Sequence, residues 1–467
     1  MRHAEAVDYL YSLGNEVLTA KLGLHNMEVL LRFLGEPHKK FRSILIAGTN
    51  GKGSVAAFCD SILRASGYRT GMYTSPHLIQ IEERIRIDGK MIGSDEFARL
   101  TGEVKDAVGS LMKNPCKANG GQLERHPTYF EMVTAVAFKY FAEQQIEIAV
   151  LEVGLGGRLD ATNVVDPLAA VITNVELDHQ QYLGGSIAEI AVEKAGVIKS
   201  PTHRRDEPHA NNRLSAVFSG HEGPALEIIK ERCRSVRAEL FRPPEHIKYE
   251  AKPDSLGRFR MRVDCRLGSG IEFRLPLAGE HQVLNALTAI QVMELIADRG
   301  YRIGSSNIAL GLSQTEWPGR LEILDFQPRI VLDGAHNPDA AEKIRNYLEN
   351  FLQPRQIVMV FGAMRDKAIQ EMARKLFPSM KQIILTRVEY ERSAAPLEIL
   401  NLVPEYKDSA RTTGSVREAL IMAKELTSEA DTIVIVGSLF LIGEAKIVLQ
   451  QCFTRGGPIA SARAEDG

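Results

Sequence analysis

Cysteine is scarce in this chain: five in 467 residues, at Cys59, Cys116, Cys233, Cys265 and Cys452. They are odd in number, scattered, and form no C-x-x-C pair, which excludes a disulfide framework and a zinc ribbon and leaves reduced thiols. No uninterrupted apolar run is long enough to span a bilayer. The opening Met-Arg-His-Ala-Glu lacks the apolar core of a signal peptide, so a cytoplasmic protein without membrane association is expected. Neither sign of charge dominates. Lys and Arg number 57 against 59 Asp and Glu, a net −2, which offers no surface for nucleic acid or another polyanion. No internal repeat or low-complexity array is present.

What remains is an ordinary globular composition, 44% hydrophobic and 25% charged, in a chain long enough for two or three domains. Its most informative stretch is Gly48-Thr49-Asn50-Gly51-Lys52-Gly53-Ser54. The apolar run Ile44 to Ala47 leads into it, and Val55, Phe58, Ile62 and Leu63 follow on one helical face up to Gly67. Strand, Gly-rich turn with one Lys, then helix is an arrangement that holds a nucleotide's phosphates, because backbone N–H groups and the helix N-terminus face the anion. The spacing is not that of the standard phosphate loop, since Gly53 separates Lys52 from Ser54.

Helical patterns over Ala4 to Thr19 and Met27 to Leu34 precede this unit. After it, Arg69 to Tyr73 reads as a strand ending in Thr74-Ser75-Pro76-His77-Leu78, and Ser94 to Leu111 as a helix before a loop at 113–127. Thr128 to Glu143 is an apolar helix, and Ile146 to Val153 a buried strand that carries Glu152. A carboxylate there needs a partner, either a bound cation or an ordinary ion pair. The strand Leu168 to Thr173 ends in Asn174, Asp178 and His179, and Ile187 to Lys199 is a helix with Glu193 and Lys194. Lys52 and Ser54, Glu152, and His179 thus stand at the carboxyl ends of successive strands, which share one crevice in a doubly wound sheet.

Residues 200–223 read as loop. Between Ile247 and Leu277 the apolar period becomes two, an antiparallel hairpin added to the parallel sheet. Gly279-Glu280-His281-Gln282 opens a helix, Asn285 to Ala297. Strands at Ile330 to Leu332, Gln356 to Phe361, Gln382 to Thr386 and Thr432 to Val436 then alternate with helices near 339–351, 366–376, 415–427 and 440–450. The expected fold class is α/β: an N-terminal P-loop-type ATPase domain over 1–299, mostly parallel sheet plus a small antiparallel sheet. A smaller C-terminal Rossmann-like α/β domain follows over 300–455, with 456–467 as a disordered tail.

In order along the chain stand GTNGKGS at 48–54, TSPHL at 74–78, LEVGLGGRLDATN at 151–163, ITNVELDH at 172–179 and IAVEKAGVIK at 190–199. GEHQVLNA at 279–286, WPGRLE at 317–322, DGAHNP at 333–338 and GSLFLIGEA at 437–445 complete the set. With these blocks the sequence resembles the folylpolyglutamate synthase and dihydrofolate synthase family, the folate branch of the Mur ligase superfamily, over nearly its whole length. Gly53 is that family's own form of the phosphate loop.

The resemblance implies an ATP-dependent ligase that phosphorylates a pterin substrate's carboxylate and lets the amino group of L-glutamate displace phosphate. It implies ATP, two Mg²⁺ ions and small-molecule substrates (dihydropteroate or a folate, and L-glutamate), acted on by a monomer. Lys52 and the loop Gly48, Thr49, Asn50, Gly51, Gly53 and Ser54 would bind the phosphates. Ser75, Glu152 and His179, with Ser54 as a further candidate, match metal positions. Lys194 matches a lysine that is carbamylated in the superfamily to support the second metal. Gln282, Asn285, Arg320, Asp333 and His336 match nucleotide contacts. Ser75, His77, Arg158, Asp160 and Thr162 sit where the pterin-bearing substrate would approach.

Three departures from the family pattern stand out: Ala368 in place of an Asp, Glu176 in place of a small residue, and a charged insertion at 203–212. Two other readings remain open: a Mur-type ligase acting on a different carboxylate acceptor, and a nucleotide-binding regulator without catalysis.

Overall fold

The structure is a computed structural model and describes residues 1–14, 23–113, 121–200 and 214–452. The continuation of the first helix to Thr19, residues 114–120 of the loop at 113–127, the 203–212 stretch and the tail from 453 lie outside the described residues.

Eight strands form the first sheet: β1 (Arg42–Ala47), β2 (Thr70–Tyr73), β3 (Ile85–Ile87), β4 (Lys90–Met91), β5 (Ile148–Glu152), β6 (Ala169–Ile172), β7 (Ser215–Phe218) and β8 (Glu239–Phe241). Their spatial order is β4-β3-β2-β5-β1-β6-β7-β8. The six strands β2, β5, β1, β6, β7 and β8 run parallel, whereas β3 and β4 pair antiparallel at one edge. Strand β1 shows why its sequence is continuously apolar. Leu45 and Ala47 face one core while Ile44 and Ile46 face the other, so both faces are covered.

The first core lies under helices Ser94–Lys113, Tyr129–Glu143, Ile187–Ala195 and Pro224–Val236. The second lies under helices Lys52–Ala65, His281–Ala297 and Ser305–Ser313. The expected apolar face Val55, Phe58, Ile62 and Leu63 is fully buried there. Helix Tyr129–Glu143 starts as its sequence suggests: Thr128 caps it by accepting from the Glu131 amide, and Glu131 accepts from the Thr128 amide in return.

The segment read as loop up to residue 223 contains strand β7, and the helix and β8 that follow widen the sheet. Their signals are weak: β7 is four residues long, β8 three, and the helix begins on Gly223-Pro224 without a polar cap. The expected hairpin is the core of a separate three-stranded sheet, β9 (Lys248–Pro253), β10 (Phe259–Cys265) and β11 (Gly268–Arg274), ordered β11-β10-β9. Phe259, Met261 and Val263 on β10 and Ile271 and Phe273 on β11 are its buried positions at period two.

The second unit holds six strands: β12 (Glu322–Leu324), β13 (Arg329–Asp333), β14 (Ile357–Phe361), β15 (Gln382–Leu385), β16 (Ala410–Thr412) and β17 (Thr432–Val436). Their order is β12-β13-β17-β14-β15-β16, with β12 antiparallel and the rest parallel. Helix Ser305–Ser313 does not belong to it. Ile308 and Leu312 lie in the core of the first unit, and the Ser61 hydroxyl donates to the Gly311 carbonyl at 2.6 Å. Packing therefore sets the division after Ser313 rather than at residue 300.

Candidate active site

Strand order explains where the site lies. The chain passes from β1 to β2 but leaves room for β5 between them, and β6 then takes the other side of β1. The carboxyl end of β1 is thus a topological switch point, flanked by the ends of β5 and β6. Gly48–Ser54 occupies that end, Glu152 ends β5, and Thr173 and Asn174 follow β6.

Half of the loop is bolted to the segment after β6. The Asn174 side-chain oxygen accepts from the Thr49 and Asn50 amides at 3.2 and 2.8 Å. The Thr173 hydroxyl donates to the Asn50 carbonyl at 2.6 Å, and the Glu176 amide donates to the Thr49 hydroxyl at 3.0 Å. Gly48 is needed for this approach: at φ 145° a Cβ there would lie 1.9 Å from the Thr173 hydroxyl oxygen. The Thr49 and Asn50 amides are therefore already engaged. The amides of Gly51 to Ser54, at the start of helix Lys52–Ala65, have no protein acceptor among the described residues. The amides left for an anion are thus those of the second half of the loop, not of all of it.

Lys52 Nζ donates to the Gly48 and Thr49 carbonyls at 3.1 and 3.0 Å. Lys194, from helix Ile187–Ala195, donates to the same Gly48 carbonyl at 2.9 Å and is only 4% exposed. Burial first, and the neighbouring Lys52 charge second, push the Lys194 pKa down to about 7. Burial also lowers that of Lys52, against the opposing pull of Glu152 and Asp178. Glu152 is buried and accepts from the Ser75 amide at 3.2 Å. The Ser54 hydroxyl accepts from Gln282 at 3.3 Å, and Asn285 donates to Gln282 at 2.9 Å, so these two nucleotide candidates brace the loop from helix His281–Ala297.

His179 sits in the left-handed region at φ 52°, its Nε2 3.9 Å from Asp178 Oδ1. Burial brings its pKa down to about 3, which makes it a neutral imidazole. Asp178 is the centre of the contact between the two units. Lys367 Nζ lies 2.7 Å from its Oδ1, Asn337 donates to its Oδ2 at 3.1 Å, and His336 Nε2 is 3.8 Å away. Burial alone would raise the Asp178 pKa, but His179, Lys367 and His336 outweigh it and hold the carboxylate ionised. Asn50 and Asn337 exchange side-chain hydrogen bonds at 3.2 and 3.0 Å, and Asn50 also donates to Asp339 at 2.8 Å. Of these residues Asp178, Lys367, Asn337, Asp339 and Asn174 received no role from the sequence. Their signal was position, since all but Lys367 and Asp339 fall inside the blocks ITNVELDH and DGAHNP.

Other expected site residues hold hydrogen bonds or ion pairs close to their own loops. Asp333 accepts from the Leu321 and Ala335 amides at 2.7 and 2.8 Å, so it ties two loops of the second unit together. Arg320 Nη1 donates to the Gly319 carbonyl at 3.2 Å, and His336 Nδ1 bonds the Gly334 carbonyl at 2.9 Å. His77 accepts from Arg84 at 2.9 Å on Nδ1, which puts its proton on Nε2, 3.4 Å from the Tyr11 hydroxyl. Asp160 accepts from the Leu155 amide at 2.9 Å and from the Thr162 amide and hydroxyl at 3.0 and 2.5 Å. Both residues are buried and shape the loop after β5. Arg158 is exposed and paired with Glu193 at 2.8 Å, beside Lys194.

Among the described residues no group of three His, Cys, Asp or Glu is gathered as for a metal ion. The Ser54 and Ser75 hydroxyls and the Glu152 carboxylate are the hard oxygen donors that suit Mg²⁺.

Two families match the chain: the Mur ligase middle domain over residues 98–293 and the Mur ligase glutamate ligase domain over 319–439. The dihydrofolate synthase/folylpolyglutamate synthase of Bacillus subtilis is 32% identical over 431 residues, 91% of this chain and 94% of that protein. A probable bifunctional folylpolyglutamate synthase/dihydropteroate synthase of Haloferax volcanii is 34% identical over 460 residues, 96% of this chain; the chain spans only 50% of that protein. Among solved structures, the folylpolyglutamate synthase of Mycobacterium tuberculosis complexed with ADP superimposes with a TM-score of 0.85. It is 30% identical, with 98% of this chain and 99% of that one covered. No helix among the described residues is long and apolar enough to cross a membrane.

Proposed function

This chain belongs to the folylpolyglutamate synthase/dihydrofolate synthase family of ATP-dependent glutamate ligases, and we propose that it joins L-glutamate to dihydropteroate, to folyl(poly)glutamates, or to both. The single observation behind this reading is the convergence of Lys52 and Lys194 on the Gly48 carbonyl, at the strand end beside Glu152. A carboxylate is a poor electrophile. Transfer of the γ-phosphoryl group from ATP to the acceptor's carboxylate oxygen makes an acyl phosphate, and attack by the glutamate amine then expels phosphate.

In this reading the free amides of Gly51 to Ser54 and the Lys52 ammonium hold the β- and γ-phosphates, and Gln282 and Asn285 keep that loop in place. Arg320, Asp333 and His336 are proposed on the nucleotide side, with Asp333 acting through the loops it ties. Ser54, Ser75, Glu152 and His179 would hold Mg²⁺, which when bound offsets the repulsion between two anionic reactants. Lys194 is proposed to be carbamylated. Its amine must lose a proton before its nitrogen can bond to the carbon of CO₂, and burial already favours the neutral amine. The carbamate would convert a like-charge contact with Lys52 into an attractive one. Ser75, His77 and Arg158 are proposed to face the pterin-bearing substrate, while Asp160 and Thr162 shape the loop beside it.

The test is a turnover assay with ATP, Mg²⁺ and L-glutamate, comparing dihydropteroate with tetrahydrofolate and identifying products by mass. ADP release is expected only when both glutamate and a pterin acceptor are present. ATP turnover indifferent to both would refute the assignment.

A further inference from the structure

Lys367 belongs to the second unit, yet its ammonium lies deep in the cleft against the first. It is 2.7 Å from Asp178 Oδ1, and both side chains are only 10% exposed. The same ammonium is 3.5 Å from Nε2 of His179. Its backbone is held in place: the Lys367 amide donates to the Met364 carbonyl at 3.1 Å, its carbonyl accepts from the Ile369 amide at 2.8 Å, and Met364 bridges to Ser393. The cation is therefore presented on a braced turn.

An ammonium has no lone pair, so in this contact Nε2 of His179 must be the acceptor and Nδ1 must carry the proton. Nε2 has one lone pair. A divalent cation on that nitrogen would need the same electrons, and would stand a few ångströms from a positive charge with one carboxylate, Asp178, between them. Mg²⁺ also retains several waters and asks for octahedral room.

We infer that Lys367 and a divalent cation at His179 exclude one another, so that metal loading on the first unit and docking of Lys367 on Asp178 are antagonistic. The inference rests on the proposed role of His179 as a metal ligand. It goes further in making the second unit's position part of metal affinity: when Lys367 is docked the site disfavours a divalent cation, and a bound cation releases Lys367. By reciprocity, each weakens the other by the same factor.

Mn²⁺ serves as the probe, its binding to the full chain without nucleotide followed by electron paramagnetic resonance of the free ion. Lys367→Met keeps the length of the side chain and removes the charge. It is expected to bind Mn²⁺ about tenfold more tightly or better, a difference of about 1.4 kcal/mol. Lys367→Gln provides the same comparison if the Met variant does not fold, and Lys367→Arg, which keeps the cation, should match wild type. His179→Ala should weaken Mn²⁺ binding. Unchanged affinity in the Met and Gln variants, with weakened binding in His179→Ala, would overturn the inference and leave the metal reading intact. Unchanged affinity in His179→Ala would remove both.

Discussion

Lys52 and Lys194 donate to one oxygen atom, the carbonyl of Gly48, at 3.1 and 2.9 Å. Two ammonium groups on one neutral acceptor repel each other, and neither has a salt bridge to a carboxylate among the described residues. The fold holds this arrangement because Lys52 begins the helix after β1 and Lys194 ends a helix packed under the sheet. A site built this way is short of negative charge, which phosphates and a carbamate would supply.

Lys52→Ala removes the cation from the loop without touching its backbone. Turnover is expected to fall by about two to three orders of magnitude, the loss typical of one preorganised charge-stabilising group. ADP release measures the loss, and an unchanged circular dichroism spectrum would show the fold to be intact.

A carbamylated Lys194 predicts a carbamate carbon resonance in ¹³C NMR when the protein is equilibrated with ¹³C-bicarbonate. The signal should be missing in Lys194→Ala. That variant is expected to lose most of the chemical step, and excess bicarbonate should not restore it, because no amine remains to be modified.

The depressed pKa of Lys194 has a signature in stability. In CO₂-free buffer the unfolded chain's lysine titrates near its ordinary 10.5, whereas the buried one titrates near 7. Between those values the unfolded state binds more protons, so stability rises with pH. The penalty is absent above the ordinary value and complete below about 7. Lys194→Met carries no such penalty. Its thermal midpoint should exceed wild type most near pH 7 and converge on it toward pH 10.

Asn337 has three duties. It caps helix Pro338–Phe351 by accepting from the Ala340 amide at 2.9 Å, exchanges bonds with Asn50, and donates to Asp178. Asn337→Ala is expected to cost about 1 kcal/mol of stability from the cap alone. It should also raise the KM for ATP, because Asn50 belongs to the phosphate loop. Denaturant unfolding and steady-state kinetics separate the two effects.

Strands β1, β5, β13, β14 and β17 were legible because each is a continuous apolar run long enough to stand out. Strands β7, β8, β12 and β16 were not. They are three or four residues long, and pairing with a neighbour rather than their own composition makes them strands. Helix Ser305–Ser313 was not singled out, and its residues were assigned to the wrong side of the domain division. Only its contact with helix Lys52–Ala65 shows where it belongs.

At the site, sequence alone singled out Lys52, Ser54, Glu152 and His179, because a strand end followed by polar residues is a local pattern; Lys194, on a helix, entered only through the family resemblance. Tertiary structure decided the rest. That Thr49 and Asn50 spend their amides on Asn174, that both lysines meet at Gly48, and that Asp160 turns inward follow from β5 and β6 flanking β1. The ion pair of Lys367 with Asp178 joins residues 189 apart in sequence. Periodicity and capping act over a few residues of chain, whereas such contacts depend on how crossovers arrange whole strands and on how two separately built units meet.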